Sequence, residues 1–519
     1  MVCAMAIPAF AGNYWETEED LGTNHCYDAF QIFDGVVSDD NTISNVGWGS
    51  SIAHPNEFLA QLTEDLTIGD KFETSFTPQE AAAVISQWSD SDNNSIAFAR
   101  CVCNYVYSDR DSTPVLQGGH TNGFKLEKAG YYLIVDTSSF SSDANNDSYH
   151  AYNSFLLKVN KANYHVQITP KVVKPTVEKK VYDNDDNSTS GDNNGWGSSA
   201  DHAINEEFKF RLIAKLPASE GRAYDYYKKY TVCFNDTLSE GITFDKLDTV
   251  EITNGDGGAS QVIDAANYTR TPNGSQFFKL SIDDVKTCAE GLDLNKGATI
   301  TVTYTAHLND KAYVNTGSGS TENKNSVRLQ YSNNPRPDGE YWGYTPNYTP
   351  ESEVYVYTYQ LNNTKRAETE NGTPLPGAGF KLYSDKAYEH EVKLYKEGNF
   401  YYPIKNALDK TPVEMKSADD GTFNVRGLDA GTYYLKETTT PADFTPCSVI
   451  PPVTITANHT KDYVDLSGNL STTIINKKAG GITLPSTGGI GTTIFYVVGG
   501  GLMVAAIVLL VTKKRMENK

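Results

Sequence analysis

The chain has 519 residues, enough for roughly three or four domains of ordinary size. Its 65 acidic side chains outnumber its 44 basic ones, which gives a net charge of −21. Because a nucleic-acid-binding face needs a basic surplus, this balance argues against nucleic acid as a partner and favours a self-repelling surface protein. The 33 tyrosines and the alternating threonine- and valine-rich runs predict mainly β structure.

The chain begins MVCAMAIPAFAGNYW, in which Ala9 and Ala11 flank Phe10 in an A-x-A pattern typical of signal-peptide cleavage. The basic section and part of the apolar section that normally precede such a site are missing. We therefore interpret residues 1–12 as the remnant of a signal peptide and expect the protein to be secreted.

Residues 13–168 mix helical and strand patterns. TPQEAAAVISQW begins with Thr77, places Pro78 at the first helical position and completes a capping box with Glu80. Residues 55–66 have helical apolar spacing, whereas YYLIVD and YNSFLLKV are typical of strands. These patterns predict an α+β N-terminal domain.

The seven cysteines do not form a recognisable disulfide framework. Cys101 and Cys103 form a lone C-x-C, which is too little for a zinc site. Cys233 and Cys288 could pair, but buried free thiols are an equally good interpretation. Residues 183–195 superficially resemble a calcium loop but lack its twelfth-position glutamate, so a solvated loop is expected and no metal or cofactor is predicted.

Two further units consist almost wholly of strand patterns. Residues 169–334 contain FKFRLIAKL, KYTVCFNDTL and ATITVTYTAHL between turn-rich segments, which predicts a β-sandwich. Residues 335–352 are rich in proline, asparagine and tyrosine and are predicted to link domains. Residues 353–478 form another β unit that opens with VYVYTYQL and closes with STTIINKK.

Residues 479–519 carry the clearest signal in the chain. LPSTGG precedes an uncharged run from Ile490 to Thr512 that is long enough to span a bilayer as a helix. The basic residues 513–515 follow at once, as in a stop-transfer tail. We therefore expect a C-terminal transmembrane helix that holds the precursor in the membrane transiently.

Motif, apolar run and basic tail in this order resemble the cell-wall sorting signal of Gram-positive surface proteins. The resemblance implies that a sortase cleaves after Thr487 and passes its carbonyl to an amine. It also implies covalent attachment of the protein to peptidoglycan. The implied recognition residues are Leu484, Pro485, Ser486, Thr487 and Gly488.

The last β unit contains LNNTKRAETENGTPLPGAGFKLY, YYLKETTTPADF and IINKK, and it resembles the collagen-adhesin B-type domain of sortase-assembled pilins. The resemblance implies an isopeptide bond between Lys365 and Asn476, with Glu437 as the autocatalytic acid. Phe444 stands where the family usually has a tyrosine. The family also implies tandem immunoglobulin-like sandwiches.

The middle unit contains PTVEKKV, YTVCFNDTLSEGITF and KNSVRLQYSNN, and it resembles the fimbrial isopeptide-forming domain of the same pilins. The resemblance implies Lys179 as the amine, Asp236 as the proton shuttle and Asn325 as the amide. Lys180 is the rival amine. Because neighbouring residues of a strand face opposite sides, only one of the two lysines can point into the core.

The chemistry of such a bond explains these residue types. An ammonium cannot attack an amide, so the lysine must be buried to lower its pKa and free its lone pair. A carboxamide is a poor electrophile, so a carboxyl group must supply a proton. Ammonia leaves, and each group reacts once, so this is self-modification and no enzymatic activity is expected.

A backbone pilin also needs an exposed lysine that attacks the sortase thioester carrying Thr487 of another subunit. In VQITPK, Lys171 follows a proline at the boundary between the first two domains, although Thr169 replaces the family's tyrosine. Lys174, which precedes Pro175, is the alternative. A basic linker that does not react is the third interpretation.

The resemblance implies a covalently polymerised pilus subunit that is anchored to the cell wall and supports adhesion. Its expected partners are a class C-type pilin sortase, a housekeeping sortase, other copies of itself, accessory pilins, peptidoglycan and a host-surface ligand. The alternative is a non-polymerising wall-anchored adhesin or a minor tip or base pilin. A hydrolase is disfavoured because G-x-S-x-G and H-E-x-x-H motifs are missing.

Overall fold

The structure of the protein is a computed structural model. The structure describes residues 26–37, 43–89, 92–120, 124–137, 154–159, 164–166, 174–183, 194–219, 222–272, 276–332, 347–405, 410–480 and 490–517. The predicted signal-peptide remnant, Lys171 and the motif at 484–488 lie outside the described residues. The predicted mainly β architecture is confirmed, and it is arranged in three successive units.

The N-terminal unit packs helices against an antiparallel sheet, as the α+β pattern predicts. Its elements are β1 (Cys26–Val37), β2 (Ile43–Trp48), α1 (Pro55–Thr63), α2 (Pro78–Ile85), α3 (Asn93–Ser108), β3 (Leu116–His120), β4 (Phe124–Leu126), β5 (Gly130–Asp136), β6 (Ser154–Val159) and β7 (Tyr164–Val166). The sheet order is β2-β1-β5-β6, β3 pairs with β1, and β4 pairs with β7. The predicted capping box opens α2: the Thr77 hydroxyl accepts from the Glu80 N–H, and the Glu80 carboxylate accepts from the Thr77 N–H.

Helix α3 was not predicted from the sequence. Its residues from Ser95 to Ala99 are all buried, and its less buried residues Arg100, Asn104 and Tyr107 form only a narrow stripe, so it lacks the wide polar face of a surface helix. It carries both residues of the C-x-C pair, Cys101 and Cys103, which are buried in the core of this unit. That placement agrees with structural thiols rather than a metal site.

The middle unit is a sandwich of two sheets. Its strands are β8 (Thr176–Tyr182), β9 (Trp196–Gly197), β10 (Ser199–Asp201), β11 (Glu207–Leu216), β12 (Val232–Leu238), β13 (Ile242–Asn254), β14 (Gln261–Val262), β15 (Tyr268–Pro272), β16 (Phe277–Ile282), β17 (Ala298–Leu308), β18 (Lys324–Tyr331), β19 (Asn347–Tyr348) and β20 (Ser352–Tyr357). One sheet has the order β14-β13-β17-β11-β8-β9, and the other has the order β10-β20-β18-β12-β16-β15 with β19 paired to β18. Strands β11 and β17 alternate buried and more exposed residues, and their buried faces supply much of the core.

Strand β20 corrects a predicted boundary. We expected the last unit to begin at residue 353, but β20 pairs antiparallel with β18, in the register Lys324 to Tyr355, and parallel with β10. The alternating run VYVYTYQL is therefore divided at Thr358, with its first half in the middle sandwich. Alternation marks a strand but does not say which sheet the strand joins.

Cys233 and Cys288 of the middle unit are buried but not joined in a disulfide. The Cys233 thiol contacts the Phe234 carbonyl, and the Cys288 thiol contacts the Val285 carbonyl. The possible pairing of these two cysteines is therefore wrong, and the alternative of buried thiols describes both.

The last unit is a second sandwich. Its strands are β21 (Tyr359–Ala367), β22 (Gly379–Tyr383), β23 (Glu391–Val392), β24 (Leu394–Glu397), β25 (Phe400–Pro403), β26 (Met415–Lys416), β27 (Val425–Leu428), β28 (Gly431–Thr439), β29 (Phe444–Thr445), β30 (Val453–His459), β31 (Val464–Gly468) and β32 (Ser471–Lys478). One sheet has the order β24-β25-β27-β21-β32-β29, and the other has the order β23-β22-β28-β30-β31 with β26 paired to β22. The first strand, β21, lies parallel to the last, β32, with Lys365 opposite Ile474 and Ala367 opposite Asn476.

The middle and last units share a polar junction. The Asn205 amide donates to the Pro403 carbonyl (2.9 Å), and the Ile204 N–H donates to the Gly427 carbonyl (2.9 Å). His459 Nε2 of β30 lies 3.7 Å from a carboxylate oxygen of Asp183. Asp183 is buried in this junction, so its assignment to a solvated loop is wrong.

Short 3₁₀ helices complete the description: Gly69–Lys71, Ala223–Tyr226, Ala265–Asn267, Val285–Thr287 and Leu294–Lys296. The C-terminal apolar run forms the helix α4 (Ile490–Glu517). Among the described residues, no helix is both long enough and apolar enough to cross a membrane.

Candidate functional site

The middle sandwich encloses a cluster of polar side chains between its two sheets. Lys179 of β8 comes from one sheet, while Asp236 of β12 and Asn325 of β18 come from the other. Asp236 lies opposite Val327 and Leu238 opposite Asn325, so the acid and the amide are two residues apart on the same face of neighbouring strands. All three side chains are buried.

Strand alternation separates the two candidate lysines of β8. The Lys179 side chain points inward and has no exposed surface, whereas 18% of the Lys180 side chain is exposed and its amine lies 3.4 Å from Glu178. Neighbouring strand residues face opposite sides of a sheet, so Lys180 cannot reach the cluster without a register shift.

A fourth residue, Tyr304 of β17, joins this cluster. The Lys179 amine lies 2.5 Å from Asp236 Oδ2 and 3.1 Å from the Tyr304 hydroxyl. The Asn325 amide nitrogen donates to the same hydroxyl at 2.6 Å. Tyr304 is not among the site residues predicted from the sequence, although the alternation of ATITVTYTAHL places it on the inward face with Val302 and Ala306.

Burial shifts both members of the ion pair toward their neutral forms. Desolvation lowers the pKa of Lys179 from 10.5 to about 8, against the opposing attraction of Asp236. Desolvation also raises the pKa of Asp236, against the stabilising effect of the Lys179 charge. Transfer of one proton from amine to carboxylate therefore leaves an uncharged nucleophile and an uncharged acid in an apolar enclosure that includes the ring of Phe210.

The last sandwich contains an equivalent cluster. Lys365 of β21 and Asn476 of β32 lie on the neighbouring parallel strands, and Glu437 of β28 approaches from the facing sheet. The Lys365 amine contacts Asn476 Oδ1 and lies 3.4 Å from Glu437 Oε2. The Asn476 amide nitrogen donates to Glu437 Oε1 at 2.6 Å.

The electrostatics of this second cluster follow from the same burial. Desolvation lowers the pKa of Lys365, although the neighbouring Glu437 opposes that shift. The Cys447 N–H donates to Glu437 Oε2 at 2.9 Å, and the Phe380 ring centroid lies 5.4 Å from the Lys365 amine. The backbone N–H orients the carboxyl group so that its other oxygen faces the amide.

Both clusters bring together a nucleophile, an electrophile and a proton carrier. A neutral amine can attack a carboxamide carbon when a carboxyl group protonates the departing nitrogen. Reactants enclosed together in a core need no diffusional encounter, which favours a reaction that is slow in water. The two predicted trios, Lys179–Asp236–Asn325 and Lys365–Glu437–Asn476, are each assembled in the described structure.

Lys171 and the motif residues 484–488 lie outside the described residues. Lys174, the alternative amine, is described and exposed at the start of the middle unit.

Comparisons with known proteins support the class that this architecture defines. Residues 361–469 match the SpaA prealbumin-like fold domain, and residues 476–518 match the LPXTG cell wall anchor motif. A search of curated proteins gives no match. The two sandwiches and the anchor define a multidomain β protein that is covalently attached to the cell wall.

Solved structures extend the comparison to most of the chain. The T6 backbone pilin of serotype M6 Streptococcus pyogenes is 16% identical, with a TM-score of 0.50, and the match covers 89% of this chain and 97% of that chain. The 35 kDa C-terminal fragment of the major pilin GBS80 of Streptococcus agalactiae is 21% identical, with a TM-score of 0.41, and the match covers 58% of this chain and 99% of that chain. The chain has the three-domain fold of a Gram-positive backbone pilin.

Proposed function

We propose that the protein is the shaft subunit of a covalently polymerised Gram-positive pilus. In each polymerisation step, a pilin sortase joins the Thr487 carbonyl of one subunit to the Lys171 amine of the next. A housekeeping sortase then attaches the fibre to peptidoglycan. The backbone-pilin fold and the LPXTG anchor support this proposal, because a sortase substrate must carry the anchor motif.

Within each subunit, Lys179 is joined to Asn325 and Lys365 to Asn476, with Asp236 and Glu437 as the respective acids. The observations that carry this part are the contacts of the two buried lysines. Lys365 contacts both Asn476 and Glu437. Lys179 contacts Asp236 and the Tyr304 hydroxyl, which in turn accepts from the Asn325 amide. Two independently assembled trios are hard to explain as ordinary packing, because a buried charge without such a role is costly.

Intact-mass measurement of the purified extracellular chain tests the internal bonds. Each bond releases one ammonia, so the mass should lie about 34 Da below the sequence mass for two bonds. Lys179→Ala should restore about 17 Da of that loss, whereas the matched variant Lys180→Ala should leave the full loss in place. An unshifted wild-type mass contradicts both bonds, and a restored mass in Lys180→Ala reverses the choice of lysine.

Blots of cell-wall extracts test polymerisation. A shaft subunit gives a ladder of high-mass species on denaturing gels, and a non-polymerising adhesin or minor pilin gives a single anchored species. Accessory pilins and a host-surface ligand are further partners of such a fibre. They can be sought by pull-down once the ladder has been observed.

A further inference from the structure

The two clusters differ in how the acid reaches the amide. In the last unit, Glu437 accepts directly from the amide nitrogen of Asn476 at 2.6 Å. In the middle unit, the acid is the shorter Asp236, and the described residues show no hydrogen bond between it and Asn325. The hydroxyl of Tyr304 occupies the intervening position, 3.3 Å from Asp236 Oδ2 and 2.6 Å from Asn325 Nδ2.

We propose that Tyr304 is a catalytic residue of the middle unit, whose hydroxyl relays a proton from Asp236 to the leaving nitrogen of Asn325. Aspartate plus tyrosine thereby replaces the single longer glutamate of the last unit. This inference rests on the proposed Lys179–Asn325 bond and names a group that the bond-forming reaction requires.

The protons and electrons of the reaction balance. The Lys179 ammonium first gives a proton to Asp236, and the neutral amine then forms a bond to Cγ of Asn325. The amide nitrogen loses its conjugation in this tetrahedral intermediate and becomes basic. Asp236 now donates to the Tyr304 oxygen while the Tyr304 O–H donates to Nδ2, the Cγ–Nδ2 bond breaks, and ammonia leaves. The attacking nitrogen returns a proton to Asp236.

The position of the hydroxyl is fixed by aromatic packing. The Tyr304 ring lies 5.3 Å from the Phe210 ring, 5.5 Å from the Phe244 ring and 5.3 Å from the Phe278 ring, measured between centroids. Burial raises the pKa of Tyr304 well above its usual value, so the hydroxyl keeps the proton that a relay needs. A fully buried side chain in such contacts has little freedom to leave the line between Asp236 and Asn325.

Tyr304→Phe in the full chain tests the relay. We expect the Lys179–Asn325 bond to form more slowly by a factor of about 10²–10⁴, the usual contribution of a positioned proton donor. The Lys365–Asn476 bond in the same molecule should form at the wild-type rate, so the mass loss of freshly made protein should fall from about 34 to about 17 Da. Digestion and mass spectrometry then show which crosslinked peptide is missing.

Two further variants separate catalysis from packing. Tyr224→Phe is the matched control, because Tyr224 is a buried tyrosine of the same unit that lies outside the cluster. Its hydroxyl donates a 2.9 Å hydrogen bond to the Pro217 carbonyl. It should form both bonds at the wild-type rate. Adding Asp236→Glu to Tyr304→Phe supplies the longer acid found in the last unit, and should restore bond formation.

A purely structural role of Tyr304 is tested in a variant that cannot form the Lys179–Asn325 bond. In the Asn325→Ala background, adding Tyr304→Phe should leave the middle unit folded by circular dichroism. The relay would be overturned if the double variant unfolds while the Asn325→Ala single variant stays folded. It would also be overturned if Tyr304→Phe forms the Lys179–Asn325 bond at the wild-type rate. If wild-type protein lacks the Lys179–Asn325 crosslink altogether, the proposed function fails instead.

Discussion

Asn476→Ala isolates the effect of the crosslink on the stability of the last unit. The variant removes the electrophile but keeps Lys365 and Glu437 within 3.4 Å of each other, so no buried charge loses its partner. The proposed bond closes a loop of 111 residues. In the chain-entropy model, a covalent link that closes a loop of this length stabilises the folded state by about 4.8 kcal/mol.

The corresponding change in melting temperature follows from the size of the unit. Residues 359–478 have an unfolding entropy of about 2.1 cal/mol/K per residue, or roughly 250 cal/mol/K in total. Dividing the lost stabilisation by this entropy gives a fall of roughly 15–20 °C in the melting temperature. Calorimetry of the purified chain should show the transition of the last unit shifting by this amount while the other transitions stay in place.

Asn363→Ala is the matched control for this measurement. Asn363 is also a fully buried asparagine of β21, and its amide donates to the Phe423 carbonyl at 3.1 Å, outside the cluster. Losing that hydrogen bond should lower the free energy of unfolding by about 1–3 kcal/mol and the melting temperature of the last unit by roughly 4–12 °C. Intact-mass measurement should show that the crosslink is still present in this variant. Equal shifts for the two variants, with only Asn476→Ala lacking the bond, would refute the loop-closure argument.

Three further outcomes are expected. Lys171→Ala should abolish the high-mass ladder in wall extracts while Lys174→Ala keeps it; the reverse pattern would move the link to Lys174. Glu437→Gln should lack the Lys365–Asn476 bond, so its intact mass, corrected for the substitution, should be about 17 Da above that of the wild type. The full wild-type mass loss in this variant would show that the acid is dispensable. In Asn325→Ala, Lys179 stays titratable with its pKa lowered to about 8, so the unfolded state binds more protons above that pH. The melting temperature of the middle unit, relative to wild type, should therefore rise from pH 8 toward pH 10, and a fall would contradict the burial argument.

Local patterns predicted the parts of the fold that depend on neighbouring residues. The capping box at Thr77 is confirmed because its three signals occur within four residues. The inward position of Lys179 is a matter of strand parity, and Lys180 accordingly lies on the other face. Such features need no knowledge of distant segments.

Other features depend on partners that are far apart in the chain. Strand β20 joins the middle sandwich through pairing with both β18 and β10, and nothing in its own alternation specifies those partners. Tyr304 enters the cluster because β17 pairs with β11 in a register that places Tyr304 opposite Phe210, which sequence spacing alone does not reveal. The missed helix α3 is buried on most sides, so its polar face is too narrow to mark it as a surface helix.

The parallel pairing of the first and last strands of the final unit affects how far a fibre can lengthen. A chain released between Lys365 and Asn476 would add roughly 370–400 Å of contour length, at about 3.3–3.6 Å for each of the 111 residues. A covalent bond at this strand pair prevents that lengthening, because tension passes from β21 to β32 without crossing the intervening strands. Those strands are then free of mechanical load, so their loops can change in sequence without altering the length or strength of the fibre.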